Sequence, residues 1–252
     1  MTAFESQTSG QQDPFEELAP IYDSVFPAVV PKYAEAHDVL LSMLPFGSKD
    51  AVRILELGCG TGELTRKLVE HFSAAHISAV DVSAAMLKEA VRKLRPFEER
   101  VDLLQRNLTD PAWRSGFEEV DAVVAAYTLD YLPLEVHERL ISEVFELLSG
   151  GGRFVSCEFI EPEDPRVGEV FRTLEYRLIS RQVAEKRVSE EEIRTLTGLA
   201  ESGPQHHVAP IRDLLNWLRK AGFDRVDTPW RFFNFVIVSG RKPQETAQKQ
   251  GA

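Results

Sequence analysis

The sequence predicts an α/β protein organised on a doubly wound, mostly parallel sheet of seven strands. Three observations predict it. Short apolar runs alternate with amphipathic helical stretches between residues 52 and 160, the pattern of parallel strands joined by crossover helices. A glycine cluster, ILELGCGTGEL at Ile54–Leu64, follows the first run, and an aspartate, Asp81, closes the second. The chain then ends in two apolar runs too close together for a helix between them, so they read as an antiparallel pair.

Taken in order, residues 1–13 read as a polar tail. Pro14–Phe46 mixes prolines with aromatic residues, and its second half, Tyr33–Leu44, is spaced as a helix. Val52–Leu57 is a strand, Gly62–His71 a helix and His76–Asp81 the next strand; Ser83 then caps a helix over AAMLKEAVRKL. Val101–Gln105 and Val120–Ala126 are further strands, and in the loop between them Trp113 reads as an anchor. Leu134–Leu148 is an amphipathic helix closed by the glycines 150–152, and Arg153–Ile160 is a fifth strand. Residues 161–209 are highly charged and read as a helical insertion over the carboxyl edge of the sheet. Ile211–Phe223 is a helix ending at Gly222, and the closing strand pair turns around Pro229. Alternation along WRFFNF puts Trp230, Phe232 and Asn234 on one face and Arg231, Phe233 and Phe235 on the other. Residues 14–242 thus read as one domain, flanked by disordered tails at 1–13 and 243–252.

Composition excludes several classes. The chain is 43% hydrophobic and 27% charged, as globular proteins are. No apolar run approaches the roughly 20 residues of a membrane span, and the amino terminus lacks the basic and apolar regions of a secretory signal. Cys59 and Cys157 fall in no CxxC pair and near no histidine cluster, which predicts no metal site and no disulfide framework. The expected location is the cytoplasm. The formal net charge of −11 argues against nucleic acid or an anionic membrane as partner, because phosphate-binding proteins present basic surface.

The glycine turn narrows the ligand. A dinucleotide site wants GxGxxG, whose third glycine lets the helix approach the strand. Here the spacing is GxGxG at Gly58, Gly60 and Gly62, and Glu63 stands where that third glycine belongs, at a helix start that should receive pyrophosphate. Glu56, two residues ahead of the first glycine, suits a cationic ligand. Asp81, about 20 residues beyond the turn, can accept both hydroxyl hydrogens of a ribose. Together these favour S-adenosylmethionine over NAD.

ELGCGTG, AVDVSAAML, RNLTD, VDAVVAAYTLDYLP and LLSGGGRF, in this order from about Pro14 to Lys242, resemble the class I S-adenosylmethionine-dependent methyltransferases, whose Rossmann-like sheet also ends in a β-hairpin. The resemblance implies that Gly58, Gly60 and Gly62 pass close to the methionyl part of the cofactor with Glu56 beneath it. It implies Asp81 on the ribose, Val82 and Met86 against the adenine, Asn107 and Leu108 at the adenine amino edge, and Ala125 and Ala126 beside the sulfonium. Asn107 departs from the aspartate common at its position, and a plain turn residue is the alternative there; Met86 can equally be core.

Methyl transfer needs a nucleophile held about 3 Å from the methyl carbon, and a base only where the acceptor must first lose a proton. The resemblance implies no fixed catalytic residue. Candidate groups are Tyr22 in the amino-terminal segment, Tyr127, Asp130 and Tyr131 after the fourth strand, and His206 beside His207. Asp130 and Tyr131 stand where many relatives carry histidines. Arg172, Tyr176, Arg177 and Arg181 can bring a basic and aromatic face to the site or form a solvated helix. The reading is methyl transfer to an oxygen or nitrogen of a small molecule. The strand pair also resembles enzymes of tRNA wobble-uridine modification, including one that makes carboxy-S-adenosylmethionine. Such a function wants an arginine for the added carboxylate, with Arg172, Arg177, Arg181 and Arg231 in view. A non-catalytic partner subunit is the third reading, opposed by the intact Glu56, glycines and Asp81.

Overall fold

The computed structural model describes residues 13, 15–202 and 205–244, without the side chains of 199–202. The expected tails at 1–13 and 243–252 lie outside the described residues apart from Asp13 and residues 243–244. β1 (Arg53–Leu57), β2 (His76–Asp81), β3 (Val101–Gln105), β4 (Val120–Ala126), β5 (Leu148–Phe159), β6 (Asp224–Phe232) and β7 (Phe235–Arg241) form one sheet in the order β3-β2-β1-β4-β5-β7-β6. β1 to β5 run parallel, while β7 is antiparallel to both β5 and β6. This is the doubly wound sheet the alternating runs predict. The strand order reverses between β1 and β4, so a crevice opens beyond their carboxyl ends, where such sheets take ligands.

Apolar residues cover both faces. On one, Ile54, Ile77 and Val124 pack with Leu40 of α2 (Tyr33–Ser42) and Leu68 of α3 (Glu63–His71). On the other, Leu55, Val123 and Phe154 pack with Leu140 of α5 (Leu134–Leu147) and Leu218 of α8 (Ile211–Ala221). Ser83 caps α4 (Ala84–Leu94) by accepting from the Met86 N–H at 3.1 Å. Trp113 anchors its loop, buried and donating from Nε1 to Glu143 at 2.6 Å.

Two local expectations need correction. The glycines 150–152 do not close α5 but lie within β5, which begins at Leu148 opposite Val120 and shifts register before Arg153 pairs with Ala122. A Cβ on Gly152 would sit 2.8 Å from the Ser149 carbonyl, so this bulge has no room for a side chain. Pro229 is not the turn. It lies inside β6, the outer strand of the sheet, where a missing N–H need leave no partner unpaired. The hairpin turns instead at Phe233, φ 51°, and Asn234. The turn breaks the alternation expected of WRFFNF: Asn234 is buried, and its carbonyl accepts from the Ile160 N–H.

Two further pieces cover the carboxyl edge. The amino-terminal segment supplies α1 (Tyr22–Val29), and the insertion supplies α6 (Pro165–Ala184) and α7 (Glu190–Ser202). In α6 only Gly168 is buried, and Tyr176 is 73% exposed, so this helix is the solvated face that its charge pattern allowed.

Candidate active site

A cavity of about 230 Å³ opens at the crevice between β1 and β4. Its floor is the glycine turn. The N–H groups of Gly58 and Cys59 both donate to the Val80 carbonyl, which ties the turn to β2. Asp81 fastens it from the side: one oxygen accepts from the Gly60 N–H at 2.8 Å, the other from the Ser83 N–H at 2.9 Å. Asp81 still faces the cavity. Desolvation by the surrounding atoms raises its pKa, and the two N–H donors oppose that rise.

The three glycines do different work. All have positive φ, which side chains other than glycine's rarely adopt. A Cβ on Gly58 would fall 2.1 Å from Thr128 Cγ2. On Gly62, at the start of α3, it would fall 2.8 Å from Leu94. On Gly60, which lines the cavity, it would meet no atom of the described residues within 4 Å. Gly60 therefore keeps space clear for a ligand, whereas Gly58 and Gly62 keep space clear for the protein.

Glu56 lines the cavity floor almost wholly buried and accepts from the Thr65 hydroxyl at 2.6 Å. Burial pushes its carboxyl up to about 8, with the Thr65 bond opposing. Burial therefore favours the protonated form of Glu56 near neutral pH, and a cation bound beside it would favour the carboxylate.

Of the residues expected to hold the nucleoside, Glu56, Gly58, Gly60, Asp81, Val82, Met86, Asn107 and Leu108 line this cavity. Gly62 and Ala125 do not. Gly62 shapes the helix start, and Ala125 points into the core beneath β4, leaving Ala126 on the cavity wall. Asn107 serves the turn: its Oδ1 accepts from both the N–H and the hydroxyl of Thr109. Cys59 and Cys157 are free and buried. Among the described residues no His, Cys, Asp and Glu group is placed to hold a metal ion.

The other end of the cavity is aromatic. Phe15, Tyr22, Phe26, Tyr33, Tyr127 and Tyr131 line it, with Leu196 of α7 above. Tyr22 stacks on Phe26 at 4.5 Å, and Tyr33 on Tyr127 at 5.6 Å. Tyr127 holds φ at 57°, a costly conformation for a bulky residue at the end of a strand. Burial raises the pKa values of Tyr22, Tyr33, Tyr127 and Tyr131, so these phenols stay neutral. His37 also lines the cavity; burial lowers its pKa to about 4, keeping the imidazole uncharged. Among the described residues its Nδ1 has no hydrogen-bond partner.

Tyr22 and Tyr131 line the cavity. His206 does not line the cavity but stacks on Tyr131 at 4.3 Å. Sequence reading missed Phe15, Phe26, Tyr33, His37, Thr128 and Leu196. The signal available was the aromatic density of residues 15–33 and the Tyr33–His37 spacing of one helical turn. For Leu196 in a charged helix there was none. The amino-terminal cover is tied down by acids: Asp13 accepts from the Ser83 hydroxyl at 2.8 Å and the Ala85 N–H at 3.1 Å, and Asp23 from the Thr61 hydroxyl at 2.6 Å.

Residues 54–152 match the family described as "Methyltransferase domain". Among curated proteins, the carboxy-S-adenosyl-L-methionine synthase of Campylobacter lari is 25% identical over 218 residues, covering 86% of this chain and 89% of that one. The enzyme of the same name from Aeromonas hydrophila is 28% identical over 240 residues, covering 92% and 91%. Among solved structures, an O-methyltransferase family protein from Burkholderia thailandensis superposes with a TM-score of 0.65 at 14% identity, over 90% of this chain and 60% of that one. Phosphoethanolamine N-methyltransferase 2 of Haemonchus contortus, solved with S-adenosyl-L-methionine, gives 0.66 at 15%, over 96% and 62%. The chain spans less than two thirds of either solved chain, and at these identities the likeness is one of fold. Residues 54–152 thus carry the match to a methyltransferase domain, and the fold across the chain is that of solved S-adenosylmethionine-dependent methyltransferases, the class the comparisons support. The protein is an enzyme of that class with S-adenosylmethionine as cofactor, and the open side of Gly60, the acceptor oxygens of Asp81 and buried Glu56 fit that molecule.

Proposed function

We propose that the protein transfers the methyl group of S-adenosylmethionine, by in-line displacement, to an oxygen or nitrogen of a small molecule held among Phe15, Tyr22, Phe26 and Tyr131. One observation carries this reading: a single cavity is lined by the nucleoside cradle and by a cluster of aromatic side chains. The cradle would hold the ribose at Asp81 and the adenine near Val82, Met86 and Leu108. What the protein adds is placement, since a methyl group on a sulfonium is already activated. The aromatic lining suits a small planar acceptor, and the net charge of −11 disfavours nucleic acid and anionic membrane. Among the described residues no helix is long and apolar enough to cross a membrane.

The names of the curated relatives favour a second reading, formation or use of carboxy-S-adenosylmethionine, because these proteins match over nearly nine tenths of both chains or more. A carboxylate added at the sulfonium wants a cation nearby. Among the described residues lining the cavity the one arginine or lysine is Arg106, beside Asn107, and its guanidinium donates to the Gln105 carbonyl. Arg172, Arg177, Arg181 and Arg231 do not line it, and Arg181 pairs with Glu185. This geometry favours the plain methyl group.

Native mass spectrometry of freshly purified protein, with identification of any released nucleoside, separates the two. We expect S-adenosylmethionine or S-adenosylhomocysteine. A carboxylated nucleoside moves the function to the second reading. A protein that neither carries nor takes up S-adenosylmethionine removes both.

A further inference from the structure

We propose that the acceptor atom is a nitrogen carrying no hydrogen, in a tertiary or heteroaromatic amine, and that the six aromatic rings lining the cavity hold the quaternary cation it becomes. The proposal rests on the methyl-transfer reading above and narrows its acceptor from oxygen or nitrogen to this one class. The arrangement of the rings, the sign of the charges beside them and the state of the nearby proton acceptors all point the same way.

The rings come first. Tyr22 and Phe26 stack with centroids 4.5 Å apart and planes at 17°, and Tyr33 and Tyr127 stack at 5.6 Å and 21°. The two pairs meet at Phe26, whose ring stands at 83° to Tyr33, 5.8 Å away, and at 69° to Tyr127, 5.5 Å away. Phe15 and Tyr131 repeat the right angle, at 87°. Rings crossed in this way form adjoining walls. A cation within about 6 Å of a ring face is attracted by the negative face of its π system, and a quaternary nitrogen has no N–H to offer to a hydrogen-bond acceptor instead.

Charge agrees with the rings. Glu56, Glu63 and Asp81 line the cavity, and Arg106 is the one arginine or lysine among the described lining residues. A positive product is therefore better received here than a negative one.

A hydroxyl acceptor would have to give up a proton, and the groups at hand are poor takers. Burial keeps the four phenols protonated. His37, the imidazole that lines the cavity, is held down to about 4 by burial, with Lys67 adding to the effect. His206 stands outside the cavity, paired with Asp130. The lining acids are engaged: Glu56 by the Thr65 hydroxyl, Asp81 by the Gly60 and Ser83 N–H groups, Glu63 by Arg66 at 2.7 Å. A nitrogen without hydrogen needs no base at all.

The step balances. The nitrogen lone pair forms the bond to the methyl carbon as the carbon–sulfur bond breaks, its electrons going to sulfur. Sulfur becomes a neutral thioether, nitrogen takes the positive charge, and no proton is released. The rings thus face a cation before and after transfer, first on sulfur and then on nitrogen.

The test uses N,N,N-trimethylanilinium and its neutral isostere tert-butylbenzene, titrated into the protein loaded with S-adenosylhomocysteine. We expect the cation to bind at least about 10-fold more tightly. Phe26→Leu, which keeps an apolar side chain but removes the ring, should shrink that ratio several-fold with S-adenosylhomocysteine affinity within about a factor of two. With S-adenosylmethionine, N,N-dimethylaniline should yield trimethylanilinium faster than 4-methylphenol yields its methyl ether. A binding ratio near one, a ratio unmoved by Phe26→Leu, no methylation of the aniline, or faster methylation of the phenol would overturn the assignment while leaving methyl transfer intact. So would trimethylanilinium binding to the empty protein that S-adenosylhomocysteine abolishes, which would give the rings to the sulfonium alone. A protein that fails to bind S-adenosylhomocysteine would instead remove the methyl-transfer reading itself.

Discussion

At the nucleoside end of the cavity, Gly58, Gly60 and Asp81 come from one β–α–β unit and act largely through backbone groups: the Gly60 N–H to Asp81, the Gly58 and Cys59 N–H groups to Val80. At the acceptor end, Phe15, Tyr22, Tyr131 and Leu196 come from the amino-terminal segment, the turn after β4 and α7, and they act through side chains. The first end is fixed by local geometry that tolerates few residue types. The second is assembled only when distant pieces close over the sheet, so its residues can change with the acceptor while the sheet stays as it is.

That contrast can be broken, and the largest effect should come from Gly58→Ala. The added methyl falls 2.1 Å from Thr128 at a φ of +70°, so we expect cofactor binding to fail and the thermal midpoint to drop sharply. Gly60→Ala meets no atom of the described residues and should cost about 1–2 kcal/mol of stability for its φ while still weakening cofactor binding. Comparable melting of the two variants would show that the glycines are not divided between protein and ligand as described. Calorimetric titration of each with S-adenosylmethionine completes the comparison.

Glu56 comes next. Between about pH 4.5 and 8 the folded chain keeps a proton there that the unfolded chain has released. Stability of the cofactor-free protein therefore falls as pH rises through that window, by up to about 1.4 kcal/mol per unit from this group. Urea midpoints at pH 5.5 and 8.5 should differ less in Glu56→Gln than in the wild type, and added S-adenosylmethionine should narrow the wild-type difference. An identical pH slope in the variant would place the proton elsewhere.

Asp81→Asn should weaken S-adenosylmethionine binding by about 1.5–3 kcal/mol, the worth of a hydrogen bond to a charged acceptor. An unchanged dissociation constant would mean that Asp81 serves the glycine turn alone. Smallest of all for the cofactor should be Phe26→Leu, which alters the aromatic end. We expect KM for the acceptor to rise several-fold with cofactor affinity within a factor of two, and a large loss of cofactor affinity would erase the boundary between the two ends.

The same division governs how much can be read from the sequence. The bounds of β2, β3 and β4 follow from apolar runs whose ends are marked by charged or turn residues, and the site residues Gly58, Gly60 and Asp81 follow from spacing within them. Ser83 is legible as a cap because capping is local. The hairpin turn is not: Pro229 is the stronger turn former, yet a place at the sheet edge accommodates it and the bend falls at Phe233 and Asn234. Nor is Ala126 separable from Ala125, because which of two alanines faces the cavity depends on the register of β4 against β1. Leu196 and the pairing of His206 with Asp130 depend on how the insertion folds back, which no spacing in the chain records.

The contact between Gly58 and Thr128 has a consequence for descent. The Thr128 hydroxyl donates to the Gly58 carbonyl at 3.1 Å, and its methyl occupies the place a side chain at 58 would need. The constraint runs one way. A lineage that trims residue 128 gains room at 58 but not a favourable backbone there, since φ stays near +70°. Residue 128 can thus shorten to serine, which keeps a hydroxyl for the Gly58 carbonyl, under a fixed glycine, so the end of β4 has some room to change without rebuilding the glycine turn.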